Sequence, residues 1–143
     1  MSVRVLIVDD SVTIRAILQE LLGHDPDIVI VGLAADAQTA VSIIDQLRPQ
    51  VTTLDILMPG TDGLTLLDTI RHRTRAIMLT NQAGAALQSV DRGAFGFFPK
   101  SEIFRDSRQL IRMVHRAALG KSTKFRMAER DAKRVVSASS PNA

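Results

Sequence analysis

Two rhythms of apolar residues alternate along this chain. Short, nearly unbroken runs cover Val3–Val8, Ile28–Leu33, Val51–Leu54, Ala76–Thr80 and Phe95–Pro99. They have strand length and no helical period, so five strands are predicted. Between them the apolar residues fall into the i, i+3, i+4, i+7 spacing of a half-buried helix. Ile14, Ile17, Leu18 and Leu21 form the first such face behind Ser11 as N-cap; Ala40, Ile43, Ile44 and Leu47 form the second, behind Asp36 and halted by Pro49. Leu64, Leu67 and Ile70 follow the turn-rich Pro59-Gly60 and Asp62-Gly63. A short helix over Ala85–Asp91 stops at Gly93, and a longer one runs from about Glu102 to Leu119 with Leu110, Ile111, Val114 and Ala118 inward.

Strands that are apolar throughout and separated by amphipathic helices argue for a parallel sheet buried on both faces. Five such units predict an α/β fold, a doubly wound three-layer sandwich. Ligands of these sheets bind beyond the carboxyl ends of the strands, where strand order reverses. Asp9, Asp10, Asp55, Thr80 and Lys100 all fall at or just past predicted strand ends. If the first and third strands are neighbours, three carboxylates meet there. Two carboxylates ~5 Å apart repel by roughly 3 kcal/mol at an effective dielectric near 20, so the cluster strains the fold unless something relieves it. A hard cation does so: Mg²⁺ takes oxygen ligands, needs one or two protein carboxylates, and keeps waters that a phosphate can replace.

Composition narrows the choice. A chain of 143 residues that is 45% AVILMFWYC fits one domain with a real core plus a tail. Without cysteine it has neither disulfides nor a thiolate zinc site. No run approaches the ~18 apolar residues of a membrane span, and the first strand is too short for a signal sequence, so a cytoplasmic protein is expected. Residues 121 to 143 hold Lys121, Lys124, Arg126, Arg130, Lys133 and Arg134 against Glu129 and Asp131, a balance of +4 that leaves −1 for residues 1 to 120. In that tail Phe125, Ala128, Ala132 and Val135 keep helical spacing, so residues 123 to 136 are read as an extra amphipathic helix and 137 to 143 as disordered. Such a helix suits a homodimer contact or an acidic partner. Nucleic acid is an unlikely target, since the chain has five Phe and neither Tyr nor Trp to stack bases. His24, His72 and His115 show no paired spacing and are read as solvated helix residues.

Val8-Asp9-Asp10, Leu54-Asp55-Ile56-Leu57-Met58-Pro59 with Asp62-Gly63, Leu79-Thr80, Gly93-Ala94 and Phe98-Pro99-Lys100 together resemble the receiver domain of bacterial two-component response regulators. The wording around Asp55 is similar to chemotaxis regulators and to the receiver half of the chemotaxis methylesterase. The resemblance spans about residues 3 to 119 and implies a flavodoxin-like fold, with residues 1 to 120 as a stand-alone receiver. It implies that Asp55 accepts a phosphoryl group from the phosphohistidine of a histidine kinase or phosphotransfer protein. It further implies that Asp10, Asp55 and the carbonyl of Leu57 bind Mg²⁺ directly, with Asp9 acting mainly through a water. Lys100 pairs with one phosphoryl oxygen and Thr80 donates to another, while Phe97 is the rotameric aromatic that transmits the change to a downstream effector protein.

Phosphoryl transfer asks for positioning and charge neutralisation more than covalent chemistry. Three carboxylates with Mg²⁺ and Lys100 sum to zero, so the added phosphoryl charge of about −1.5 to −2 must recruit new donors. Two alternatives are weaker. An aspartate-nucleophile phosphatase of the haloacid dehalogenase type wants an acid two positions after its nucleophile, where this chain has Ser11 and Leu57. A phosphorylation-independent pseudo-receiver would lack part of the acidic set. The chain also departs from the family pattern. Ser101 stands where a proline in a cis peptide is usual, Asn81 where a smaller residue is common, and the Thr80–Lys100 segment is shorter than usual. With the apolar Leu57, Asn81 is expected to slow attack by water and prolong the phosphorylated state.

Overall fold

The computed structural model describes residues 2–58, 60 and 62–120. The helix predicted for 123 to 136 and the disorder predicted beyond it lie outside the described residues. Five strands alternate with five helices: β1 (Val3–Val8), α1 (Val12–Gly23), β2 (Ile28–Ala34), α2 (Ala37–Leu47), β3 (Val51–Asp55), α3 (Gly63–Ile70), β4 (Arg75–Leu79), α4 (Ala83–Asp91), β5 (Gly96–Phe98) and α5 (Ser107–Leu119). The strands form one sheet in the order β2-β1-β3-β4-β5, with every neighbouring pair parallel. This is the expected doubly wound three-layer sandwich, and its order reverses between β1 and β3.

Strand alternation divides the core in two. Leu6, Val8, Leu54, Met78 and Phe97 pack under α2, α3 and α4, whereas Val5, Ile7, Val51, Ile77, Leu79 and Phe98 pack against α1 and α5. Successive side chains of a strand point to opposite faces, so an unbroken apolar run supplies both layers at once. At the sheet edge β2 departs from that expectation: Val29 and Leu33 are exposed, because helices cover an edge strand incompletely.

Side chains cap the first three helices, at Ser11 and Asp36 as expected and at Asp62 as well. Ser11 accepts from the backbone N–H of Ile14, Asp36 from Thr39 and Asp62 from Thr65. Other details differ. The last helix, expected from about Glu102, starts only at Ser107, behind a 3-10 turn at Lys100–Glu102, and its inward face is Leu110, Met113, Val114 and Ala117, with Ile111 and Ala118 only partly buried. Leu47, at the exposed end of α2, does not enter the core. α4 is short, at nine residues.

One histidine also corrects the sequence reading. His24 and His72 are exposed, but His115 on α5 is half-buried, its Nε2 3.0 Å from Asp25 Oδ2 in the turn before β2. The hydrogen bond to His115 holds the Asp25 carboxyl below its ordinary 3.8. Spacing along the chain cannot reveal a pair joined across 90 positions.

Gly63 has a steric reason to be glycine. A Cβ there would lie 2.4 Å from the carbonyl oxygen of Asp55 and 2.6 Å from Cα of Ile56, where the Gly63 N–H donates to the Ile56 carbonyl at 2.8 Å. The first turn of α3 is thus laid against the backbone that carries Asp55. Gly63→Ala is expected to cost about 1–3 kcal/mol or more by overpacking, measured by denaturant unfolding. The same variant is expected to shift the amide resonances of residues 55–57; wild-type stability and spectra would show that the contact does not hold.

Candidate functional site

Register brings the candidate residues together. Val8 pairs with Leu54, Asp55 with Leu79, and Leu79 with Phe98. The residues just past these positions, Asp9, Thr80 and Lys100, therefore emerge beside Asp55 at one rim of the sheet. Asp9 and Asp55 are buried, at 0% and 2% exposure, while Asp10 turns outward and is exposed. One carboxylate oxygen from each of the three lies within 4.8 Å of the others.

Hydrogen bonds fix the inner two acids. Asp9 Oδ1 accepts from the Ser11 N–H at 2.9 Å, and the Arg15 guanidinium donates to the Asp9 carbonyl at 2.6 Å. Asp55 Oδ1 accepts from the Leu57 N–H at 3.1 Å and pairs with Lys100 Nζ at 2.9 Å. Lys100 Nζ also lies 3.6 Å from Asp9 Oδ2, so one ammonium faces two carboxylates. Asp9 Oδ2 itself is buried without a hydrogen-bond partner. An orphaned buried carboxylate oxygen beside two further acids is a donor set that suits a hard divalent cation, so these residues fit Mg²⁺.

The electrostatics record the crowding. Burial pushes the Asp55 carboxyl above its ordinary 3.8; the Lys100 hydrogen bond pulls it down, and the Asp9 charge adds to the rise. Burial also disfavours the Lys100 ammonium, yet the hydrogen bond and charge of Asp55, with those of Asp9, outweigh it and raise the Lys100 pKa above 10.5. Burial is thus the main reason for the Asp55 shift, and the two acids the reason for the Lys100 shift.

A cavity of about 130 Å³ opens over the pair, lined by Asp55, Leu57, Thr80, Asn81, Gln82 and Lys100. Thr80 is 3% exposed, and its Oγ1 accepts from the Gln82 N–H at 3.0 Å, which leaves the hydroxyl proton free to be donated. A wider cleft of about 340 Å³ lies on the other side of Leu57, between Asp10, Ile56, Met58 and Asp62. Leu57 projects between them with 60% exposure.

The family model for the response regulator receiver domain matches residues 5–115. The chain belongs to that family. Among its relatives, a protein-glutamate methylesterase/protein-glutamine glutaminase of Shewanella oneidensis is 40% identical over 109 residues, which are 72% of this chain and 31% of that protein. A protein of the same description from Xanthomonas campestris is 42% identical over 107 residues, 71% of this chain and 30% of its own. The chain thus matches only about a third of the length of these relatives. The crystal structure of the response regulator domain of Thermotoga maritima CheB is similar with a TM-score of 0.78 and 29% identity, over 82% of this chain and 97% of that one. The signal receiver domain of the NarL response regulator from Mycobacterium tuberculosis gives 0.76 and 27%, over 84% and 98%.

Within this receiver, five of the candidate side chains converge: Asp9, Asp10, Asp55, Thr80 and Lys100. Leu57 sits at the mouth. Phe97 lies elsewhere, fully buried in the layer under α4 and paired in register with Met78. Arg15 went unnoticed in the sequence, although its place one helical turn after the N-cap Ser11 aims it back at the strand end. Ser101, in the family's usual proline position, begins no cis peptide among the described residues; its N–H donates to Asn81 Oδ1 at 3.0 Å.

The raised Asp55 carboxyl fixes a sign. The native chain holds a proton there more readily than the unfolded chain, so ionised Asp55 lowers stability. That penalty is full above the folded pKa, fades as pH falls through it, and is gone below 3.8. Metal-free Asp55→Asn is accordingly expected to be more stable than wild type at pH 7. Its advantage should shrink as pH drops through the carboxylate range, as read from urea midpoints at pH 7 and pH 4. A variant less stable at pH 7 would mean that the Lys100 pair outweighs the crowding.

Proposed function

We propose that the chain is a phosphorylation switch in which Asp55 accepts a phosphoryl group from the phosphohistidine of a partner kinase or phosphotransfer protein. The observation that carries this reading is the ammonium of Lys100, 2.9 Å from Asp55 and 3.6 Å from Asp9 at a rim where three carboxylates meet. The Asp55 carboxylate attacks phosphorus, the P–N bond breaks with its electron pair going to the imidazole, and an acyl phosphate remains on Asp55.

Asp9, Asp10, Asp55 and the Leu57 carbonyl are the residues that would hold Mg²⁺. When bound, the ion supplies neutralisation of the carboxylates and of the phosphoryl oxygens. Lys100 exchanges its Asp55 oxygen for a phosphoryl oxygen. Thr80 turns its hydroxyl proton, unused in the bond from Gln82, toward another. Those two donors answer the added charge of about −1.5 to −2. Phe97 reads the movement: it packs against the strand that ends just before Thr80 and can leave the core only if β5 and α4 adjust. The altered face then binds a downstream effector protein.

Residues 1–120 form the receiver unit in this reading, and the cell compartment is the cytoplasm. No helix among the described residues is long and apolar enough to cross a membrane. Exposed Leu57 and Asn81 at the mouth favour slow attack by water on the acyl phosphate. The methylesterase and glutaminase activities belong to the named relatives and form no part of this proposal.

Magnesium at 100 times its dissociation constant is expected to stabilise the wild type by about 2.7 kcal/mol, and Asp10→Asn to lose most of that gain in thermal melts. Equal stabilisation of both proteins would remove Asp10 from the metal set. With Mg²⁺ and a phosphodonor, uptake followed by intact-protein mass spectrometry should be abolished in Asp55→Asn. It should slow about 100-fold or more in Lys100→Ala, the scale of one lost transition-state donor. Labelling of the Asp55→Asn protein at the wild-type rate would put the acceptor elsewhere.

A further inference from the structure

Two loops of the site are tied by a bond that lies outside the strand pairing. Asn81 directly follows Thr80, and Ser101 directly follows Lys100. The Ser101 N–H donates to Asn81 Oδ1 at 3.0 Å across 20 positions of sequence. Ser101 lies in the 3-10 turn Lys100–Glu102, closed by Glu102 N–H to the Pro99 carbonyl and Ile103 N–H to the Lys100 carbonyl. The N–H groups that open a helical turn have no partner inside it, and here the loop after β4 supplies one. Asn81 and Lys100 line the same cavity over Asp55.

We propose that Asn81 is a positioning residue for Lys100: through the backbone of residue 101 it fixes the turn that carries the lysine to the end of β4. This rests on the receiver reading above. The ammonium is a single charge on a long flexible stem and must meet Asp55 and then a phosphoryl oxygen. Anchoring the stem's backbone narrows where that charge can go. Because the anchor is the residue after Thr80, the two phosphoryl-binding side chains are carried by loops that move together. A proline at 101 would have no N–H to give, so the amide at 81 and the residue at 101 form a matched pair.

Two readouts test this on the full chain. Hydrogen exchange of the Ser101 amide, resolved by NMR, needs no phosphoryl chemistry: Asn81→Ala should speed it, and Ser101→Ala, which keeps the N–H, should leave it unchanged. Phosphoryl uptake from phosphoramidate with Mg²⁺ should slow by about three- to tenfold in Asn81→Ala and in Ser101→Pro, the size expected of a lost positioning contact. Ser101→Ala should react as wild type, and the double variant Asn81→Ala/Ser101→Pro should be no slower than the slower single one. Unchanged exchange in Asn81→Ala, wild-type uptake in both singles, or multiplied effects in the double variant would overturn the clamp. Wild-type protein that takes up no phosphoryl group on Asp55 would instead overturn the receiver reading, and with it the effect on uptake, leaving the exchange data to judge the bond alone.

Discussion

Like charges held together at one edge of the sheet are the constraint around which this molecule is arranged. Asp9, Asp10 and Asp55 bring carboxylate oxygens within 4.8 Å of one another, and one ammonium is shared between two of them. Water screens the inner pair poorly, because both residues are buried. A fold that accepts such a cost holds the acids rigidly, and each neighbour does so by a different means. Ser11 and Leu57 offer backbone N–H groups, Arg15 grips the Asp9 carbonyl, and Gly63 lets α3 lie against the Asp55 backbone. The unspent attraction for positive charge is what makes the rim chemically useful.

Parallel pairing gathers the residues of that crowded rim from distant parts of the chain. Four of the five parallel strands, β1, β3, β4 and β5, release these loops at the same edge, so Asp9, Asp55, Thr80 and Lys100 reach one point from distant parts of the sequence. The same register links Thr80 to the buried Phe97 by way of Met78 and Leu79. In the proposed switch, a change of charge at the rim would reach β5, the strand furthest from β2.

Much of this was legible in the sequence, and the gaps have physical reasons. The strands are apolar on both faces and the helices on one, so element type and order followed from periodicity. The caps Ser11 and Asp36 marked helix starts because short polar side chains satisfy N–H groups that nothing else reaches. The acids could be placed at strand ends without coordinates. What stayed hidden was tertiary. The bond between Asn81 and Ser101, the pairing of His115 with Asp25 and the support of Asp9 by Arg15 join positions that no local pattern relates. The late start of the last helix, at Ser107 behind the turn at Lys100–Glu102, stayed hidden for the same reason, since that turn answers to contacts across the site.

The most direct measurement of shared ion binding is paramagnetic broadening by Mn²⁺ as a substitute for Mg²⁺, mapped on the amide spectrum. Three acids converging on one ion predict broadening centred on residues 9–11 and 55–58, weaker at 80–82 and 100–102, and lost on Asp10→Asn. Broadening centred on another acidic patch, or spread evenly over the surface, would contradict the account.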